Sequence, residues 1–152
     1  MAYTSESARR QLIDQLGQAV EQLSVALAAV GEAYEAADER TAGELEERLF
    51  RPVQGAYGRA QRTRSGFAER HQLTAEPVAA APATAPSADP RVHLERAIEA
   101  IERADQVIGE MQDSMLPVEV GDRELRDGLT DVRELIASAP TQGRQLLRLI
   151  GR

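Results

Sequence analysis

The chain has 152 residues, a formal net charge of −7 and no cysteine, which excludes a disulfide framework, a thiol nucleophile and a thiolate metal site. Lysine is also absent, because all 18 basic residues are arginine, so neither a Schiff-base lysine nor a lysine-containing phosphate loop is available. The acidic balance disfavours binding to nucleic acid and to anionic lipid.

The first predicted helix carries a heptad seam. Between residues 13 and 37 apolar side chains recur in alternating steps of three and four, which is typical of a helix that buries one face. The seam comprises Ile13, Leu16, Val20, Leu23, Leu27, Val30, Tyr34 and Ala37. A second row, Leu12, Ala19, Ala26 and Ala33, widens the apolar face. The helix is predicted to begin within residues 4–7, and its small alanines favour close approach of a neighbouring helix.

A second helix is predicted after Thr41 and Glu44, whose spacing matches a capping box. Its apolar face consists of Leu45, Leu49, Val53, Ala56, Ala60 and Phe67. Pro52 lies inside this pattern, and a proline deprives the carbonyl four residues back of its amide partner. The sequence therefore predicts either a kinked helix or a short helix to Arg51 followed by a longer one to about Gln72.

A linker is predicted at residues 74–88, which are rich in alanine and proline and show no helical period. Fifteen extended residues at ~3.1 Å each reach ~45 Å, about the length of the second helix. The linker therefore permits three courses. It can turn tightly, cross the whole bundle, or pass the second half of the chain to another copy by domain swapping.

The second half begins at Asp89 and Pro90, a capping residue followed by a proline suited to the first helical position. The third helix is predicted to bury Leu94, Ile98, Ile101, Ile108, Met111 and Met115 and to end at Pro117. Asp122 is predicted to cap a fourth helix with the seam Leu125, Leu129, Val132, Ile136 and Ala139. Pro140 marks a kink or break before a short helix at 141–151, which carries Leu146, Leu147, Leu149 and Ile150.

Together these elements predict an all-α protein, a four-helix bundle made of two helical hairpins with a short C-terminal helix. The hairpins are 1–73 and 89–152, and they are predicted to pack into one domain. A shift of 78 residues aligns Leu16 with Leu94 and residues 19–21 with 97–99, and a shift of 80 aligns Leu49 with Leu129. Either a duplicated hairpin or chance agreement between two amphipathic helices accounts for this match.

Asp105 is the first candidate binding residue, because it stands near the apolar stripe of the third helix, where an ionised carboxylate needs a partner. Tyr57 lies at a similar depth on the second helix, so a hydrogen bond between the two inside the bundle is one prediction. The alternative is a slight rotation of the third helix that brings Asp105 to water at the edge of the seam.

The two histidines, His71 and His93, flank the linker. Neither follows a glutamate by three residues, as the di-iron bundle motif requires, so solvated histidines at helix ends are predicted, with no metal and no other cofactor. Arg59, Arg62, Arg64 and Arg70 form a basic stretch. It is predicted to neutralise the acidic segment 32–47 on a neighbouring helix, or to dock an acidic partner or RNA.

Arg64 and His71 also match a short signature. An arginine followed after six residues by a histidine resembles the Arg-x(4–6)-His motif of HEPN-type ribonucleases, which are small helical bundles. The chain departs from that family at Ser65, where the family has Asn, Asp or His. The resemblance implies that His71 handles protons and Arg64 holds the phosphate, in a site completed across a dimer.

The favoured function is non-catalytic, since long seams are present while nucleophile–base pairs, metal ligands and phosphate loops are not. We expect a protein partner or self-association, including a possible homodimer. We do not expect nucleic acid to be a partner, nor a membrane, because the longest apolar run in the first helix, residues 25–30, is far shorter than the ~20 residues that span a bilayer. The start of the chain lacks the pattern of a secretory signal, so a cytoplasmic location is expected. The abundance of Ala, Gly and Pro, with arginine in place of lysine, suggests a bacterial source. The HEPN-like ribonuclease is the alternative function.

Overall fold

The computed structural model describes residues 2–82 and 89–150, with side chains from residue 6 onward. These residues form α-helices and one π-helical turn, and no strand occurs among them. In chain order the elements are α1 (Ala2–Ala36), α2 (Glu39–Leu45), the π-helical turn (Glu46–Phe50), α3 (Arg51–Arg70), α4 (Pro90–Asp113), α5 (Leu116–Val120), α6 (Arg123–Ile136) and α7 (Ala139–Ile150). The predicted all-α class is confirmed.

The four longer helices α1, α3, α6 and α4 form a ring in which each packs against the next and α4 closes onto α1. The predicted seams point into this ring, where most of their side chains are fully buried. The short helix α7 packs across α4 and the π-helical turn, and α5 contacts α1, α4 and α6. The bulkiest buried side chains include Phe67, Leu12, Leu16, Leu49, Leu94, Ile101, Met111 and Leu125.

Neighbouring helices of the ring are antiparallel. The start of α4 lies beside the end of α1, because His93 and Arg96 contact Glu32. The start of α6 lies beside the end of α3, where Arg70 contacts Asp122. Consequently α3 and α4 run in the same direction at opposite corners of the ring, and the chain that joins them travels the length of the bundle.

Residues 73–82, here called the strap, follow this course in extended conformation along α1. Arg10 Nη1 donates to the carbonyl oxygen of Thr74 at 2.6 Å. About four turns further along α1, Ser24 Oγ accepts the amide hydrogen of Ala81 at 2.6 Å. Of the three courses open to the linker, the described part takes the crossing, while residues 83–88 lie outside the described residues.

Aspartates begin three of the helices. Each carboxylate accepts a backbone amide hydrogen two or three residues further on, and these caps are Asp38, Asp89 and Asp122. The last two are confirmed predictions. The predicted capping box of Thr41 and Glu44 is wrong, because α2 already begins at Glu39 with Asp38 as its N-cap, and the Asp38 carboxylate accepts the Thr41 amide hydrogen. The first helix also begins earlier than predicted, at Ala2.

The π-helical turn explains how the chain accommodates Pro52. A proline inside an α-helix leaves the carbonyl four residues back without a donor. Here the helix widens just before Pro52, so that the Arg51 amide bonds to the Glu46 carbonyl five residues back, and Pro52 falls in the first turn of α3. Instead of a break at Arg51, one helical rod continues from Glu39 to Arg70.

The first half (α1–α3) and the second half (α4–α7) meet through two interfaces of different character. On one side α1 packs against α4, and both helices present fully buried alanines, namely Ala19, Ala26, Ala29 and Ala33 on α1 and Ala97, Ala100 and Ala104 on α4. On the other side α3 approaches α6 at Gly128, where an added Cβ would clash with the side chain of Thr63. The two helices that the 78-residue shift aligns, α1 and α4, pack directly against each other.

Candidate interaction surface

Arg64 ties the strap to the first half. Its Nε donates to the carbonyl oxygen of Ile13 at 3.0 Å, and its Nη1 donates to that of Glu76 at 2.6 Å. Burial lowers the pKa of the Arg64 guanidinium, and the charge of Asp14 opposes that shift. The guanidinium also lies over Gly17, 3.4 Å from where a Cβ would stand. Two of the Arg64 donors, Nε and Nη1, are therefore hydrogen-bonded to main-chain carbonyl oxygens.

His71 takes part in a different cluster, at the start of α6. Its Nε2 lies 2.7 Å from Asp122 Oδ2, and Arg70 donates to the same carboxylate from Nε at 3.1 Å and from Nη2 at 2.8 Å. Burial by itself would raise the pKa of Asp122, but hydrogen bonds from Arg70, the Leu125 amide and His71 outweigh it and hold that pKa below its usual range. Arg64 and His71 therefore bind separate partners, about two helical turns apart on α3.

A cluster of the same chemistry closes the opposite end of the bundle. His93 Nδ1 lies 2.9 Å from Glu32 Oε2, and Arg96 Nη2 approaches the same oxygen at 2.6 Å. The His93 side chain is only 2% exposed. The prediction of solvated histidines is therefore wrong for both residues. Each pairs across the two halves with a carboxylate that an arginine also binds, and these two groups are called the Asp122 clamp and the Glu32 clamp below.

Tyr57 and Asp105 do not meet, because their helices stand at opposite corners of the ring. Asp105 accepts hydrogen bonds from Arg133 Nε at 2.8 Å and from Nη2 at 3.2 Å. The Tyr57 hydroxyl instead accepts one from Gln61 at 3.1 Å. Asp105 is partly exposed at the edge of α4. This agrees with the alternative prediction, in which Asp105 meets water at the edge of the seam, but there it also pairs with Arg133.

The basic stretch on α3 does not neutralise the acidic segment 32–47. Arg59 pairs with Asp131 of α6 at 3.0 Å, and Arg70 contacts Asp122 and Glu124 of the same helix. The partners lie on α6 because residues 39–47 of the acidic segment belong to the same rod as α3, whereas α6 packs alongside α3. Arg62 is exposed and forms no ion pair within residues 2–82 and 89–150.

A groove opens between α3 and α6, about two turns from the close approach at Gly128. It has a volume of about 460 Å³ and is lined by Gly55, Arg59, Arg62, Asp131, Glu134 and Leu135. Leu135 is 40% exposed and lies over Gly55, with Cδ2 at 3.8 Å from the position of a Cβ there. Glu134, like Arg62, has no ion-pair partner in the described part of the chain. The groove therefore combines an exposed leucine with one cation and one anion that form no ion pair with any described residue.

Sequence reasoning identified Arg59 and Arg62 but missed Leu135 and Glu134. Leu135 directly precedes the seam residue Ile136, so it falls off the buried stripe of α6. A large leucine out of register on an otherwise charged face is a signal that the helical period itself provides.

A larger groove of about 740 Å³ runs between α4, α6 and α7, with Glu102, Asp105, Arg133 and Pro140 among its lining residues. Glu102 and Asp105 are already bound by Arg144 and Arg133, respectively. Glu134 lines this groove as well as the α3–α6 groove, and it is the carboxylate here that forms no ion pair among the described residues.

Within the described ranges, no three His, Asp or Glu side chains lie together in a way that would hold a metal ion. None of the helices seen in residues 2–82 and 89–150 has the length and apolar character needed to cross a membrane. No protein-family model matches the chain, and neither curated proteins nor solved structures include a significant match.

Proposed function

We propose that this protein is a non-catalytic helical bundle that acts by binding protein through the α3–α6 groove. The observation that carries the proposal is Leu135, a leucine that is 40% exposed in a groove that also contains Arg62 and Glu134, two charged residues without an ion pair in the described part of the chain. Protein interfaces commonly combine an apolar centre with a polar rim.

The placement of the polar side chains supports the non-catalytic part of the proposal. A general acid or base must be within reach of a substrate proton, yet His71 and His93 are both held against carboxylates in the clamps that join the halves. Arg64 is likewise committed to carbonyl oxygens of α1 and the strap. Each of these three side chains therefore has a structural partner that accounts for its position.

Photo-crosslinking tests the binding surface directly. A photoreactive phenylalanine analogue replaces Leu135 in one variant and Leu149, which is 57% exposed on α7, in a matched control. Both variants are irradiated in cells that express them, and adducts are identified by mass spectrometry. We expect protein adducts from position 135 well in excess of those from position 149. Equal yields at the two positions, or none at position 135, would contradict the proposal.

The alternative, a HEPN-like ribonuclease that uses Arg64 and His71, makes a separate prediction. Purified protein would cleave a single-stranded RNA oligonucleotide, and His71→Ala would abolish the cleavage while leaving the fold intact by circular dichroism. We expect no cleavage above a buffer blank from either protein. Cleavage that disappears in His71→Ala would replace the proposed function with the enzymatic one.

A further inference from the structure

We propose that the occupant of the α3–α6 groove is a second copy of this chain, bound through a twofold axis so that the same groove is used on both copies. This inference rests on the proposed function, because it names the partner of the same surface. Two features of the groove carry it, namely the opposite charges of Arg62 and Glu134, which form no ion pair among the described residues, and the exposed apolar side chain of Leu135.

The charges of the groove are self-complementary. Arg62 on α3 and Glu134 on α6 line the same groove with opposite signs, and neither is ion-paired within the described residues. In a twofold dimer every contact occurs twice. Arg62 of one copy meets Glu134 of the second copy, and Glu134 of the first meets Arg62 of the second. A partner of uniform charge would satisfy only one of these two residues and would repel the other.

The centre of the groove suits a leucine from another copy. Gly55 is exposed and has no side chain, so α3 presents only backbone to the groove opposite Leu135. Arg59 and Asp131, which line the groove beside it, already neutralise each other. Two Leu135 side chains brought together near the axis would bury the apolar surface that the single chain leaves in water, inside a rim formed by the two Arg62–Glu134 pairs.

Leu135→Glu tests the apolar centre by measuring the molar mass of the full chain in light scattering over a wide concentration range. We expect wild-type protein to pass from monomer to dimer with concentration, and Leu135→Glu to weaken the dimer more than about tenfold, because two carboxylates would face each other at the axis. The matched variant Leu149→Glu places the same charge on another exposed leucine and is expected to dimerise like wild type. Circular dichroism establishes that both variants fold.

Charge reversal tests the pairing between copies. Arg62→Glu and Glu134→Arg each put like charges together twice per dimer, so each variant alone is expected to be monomeric at concentrations where wild type is a dimer. Mixed in equal amounts, the two variants have complementary charges at both pairs and are expected to form a heterodimer. A contact within one chain cannot produce this rescue by mixing.

Two results would overturn the inference. Wild-type protein that stays monomeric at every concentration has no second copy in its groove. A dimer that tolerates both Leu135→Glu and the single charge reversals uses another surface. Neither result decides the proposed function, since crosslinks from position 135 to a different protein would keep the groove as a binding site and change only its occupant. The absence of any crosslink at position 135 would remove both proposals.

Discussion

The two interfaces that join the halves, α1–α4 and α3–α6, are built from different kinds of side chain. Along α1 and α4, buried alanines recur through several turns on both helices, so the helices stay close over most of α4. The α3–α6 interface also extends along the whole of α6, but its contacts are mixed: Gly128 admits the Thr63 side chain, and Arg59 pairs with Asp131. The α3–α6 groove lies about two turns from Gly128, where Gly55 has no side chain and Leu135 is partly exposed. Buried alanines on both helices thus make a closed interface, whereas a mixed interface that ends in an exposed glycine and leucine leaves a surface available for binding.

The largest effect is expected from the Asp122 clamp. Asp122→Ala removes the N-cap of α6 and leaves Arg70 and His71 without the carboxylate that is only 6% exposed between them. We expect the free energy of unfolding to fall by about 3 kcal/mol, the sum of a lost cap and lost charge-assisted hydrogen bonds. Urea denaturation measures it. Glu124→Ala is the control, because that carboxylate also contacts Arg70 but is 74% exposed, and it should cost less than about 1 kcal/mol.

A matched pair of glycines tests the close packing of α3 against α6 at Gly128. In Gly128→Ala the new Cβ clashes with Thr63, and overpacking of this kind is expected to cost about 2 kcal/mol of unfolding free energy. In Gly31→Ala nothing lies within 4 Å of the new Cβ, so higher helix propensity should stabilise α1 by about 1 kcal/mol. Thermal unfolding of both variants gives the comparison. Equal effects would mean that α3 and α6 are not in intimate contact at Gly128.

The Asp122 clamp also predicts a pH dependence. The folded state holds the pKa of Asp122 below its unfolded value, so its contribution is complete above the unfolded pKa of about 3.9 and is lost as the pH falls through the folded pKa. The caps Asp38 and Asp89 have lowered pKa values as well and share the loss in acid. Asp122→Asn keeps a good capping residue without the charge. Its stability should therefore fall less between pH 6 and pH 3 than that of wild type; parallel curves would contradict the assignment.

The smallest effect concerns the end of α3, where the strap begins. Gln72 has φ of 56°, a left-handed conformation that closes the helix with the Leu73 amide bonded to the Ala68 carbonyl. Gln72→Gly is expected to raise the unfolding free energy by about 0.5–1 kcal/mol, because glycine adopts this conformation without steric cost. Gln72→Ala retains the Cβ and should give no such gain.

The sequence predicts what depends on local chemistry. The seams follow from helical period, and the caps Asp89 and Asp122 follow from the preference of a carboxylate for free amides at a helix start. The clamps are not predictable in this way, because Glu32 and Arg96 are 64 residues apart. Their contact depends on how the two halves of the chain pack, which the sequence pattern leaves open. Pro52 predicts a kink or a break, because the pattern of residues does not show that a π-helical turn will precede the proline.

Part of the candidate surface was within reach of the sequence. Arg59 and Arg62 stand out in a basic stretch, but which helix faces them depends on the corner of the ring that α6 occupies. The pairing of Tyr57 with Asp105 failed for the same reason, since equal depth along two helices implies contact only if the helices are neighbours. Leu135 needed no tertiary knowledge, only attention to a leucine that breaks the period of its helix.

The course of the strap has a consequence for the rate at which the chain folds. In an up-and-down bundle with short loops, successive helices close onto each other locally and folding is fast. Here the α1–α4 interface forms only when α1 packs against a helix that follows the linker. Forming this interface therefore requires a search that closes a large loop, even though the packed elements are helices. The equilibrium cost of the longer loop is small, about 0.6 kcal/mol for each doubling of length, but the search delays the docking of the halves. We therefore expect two hairpins to form early and to join slowly.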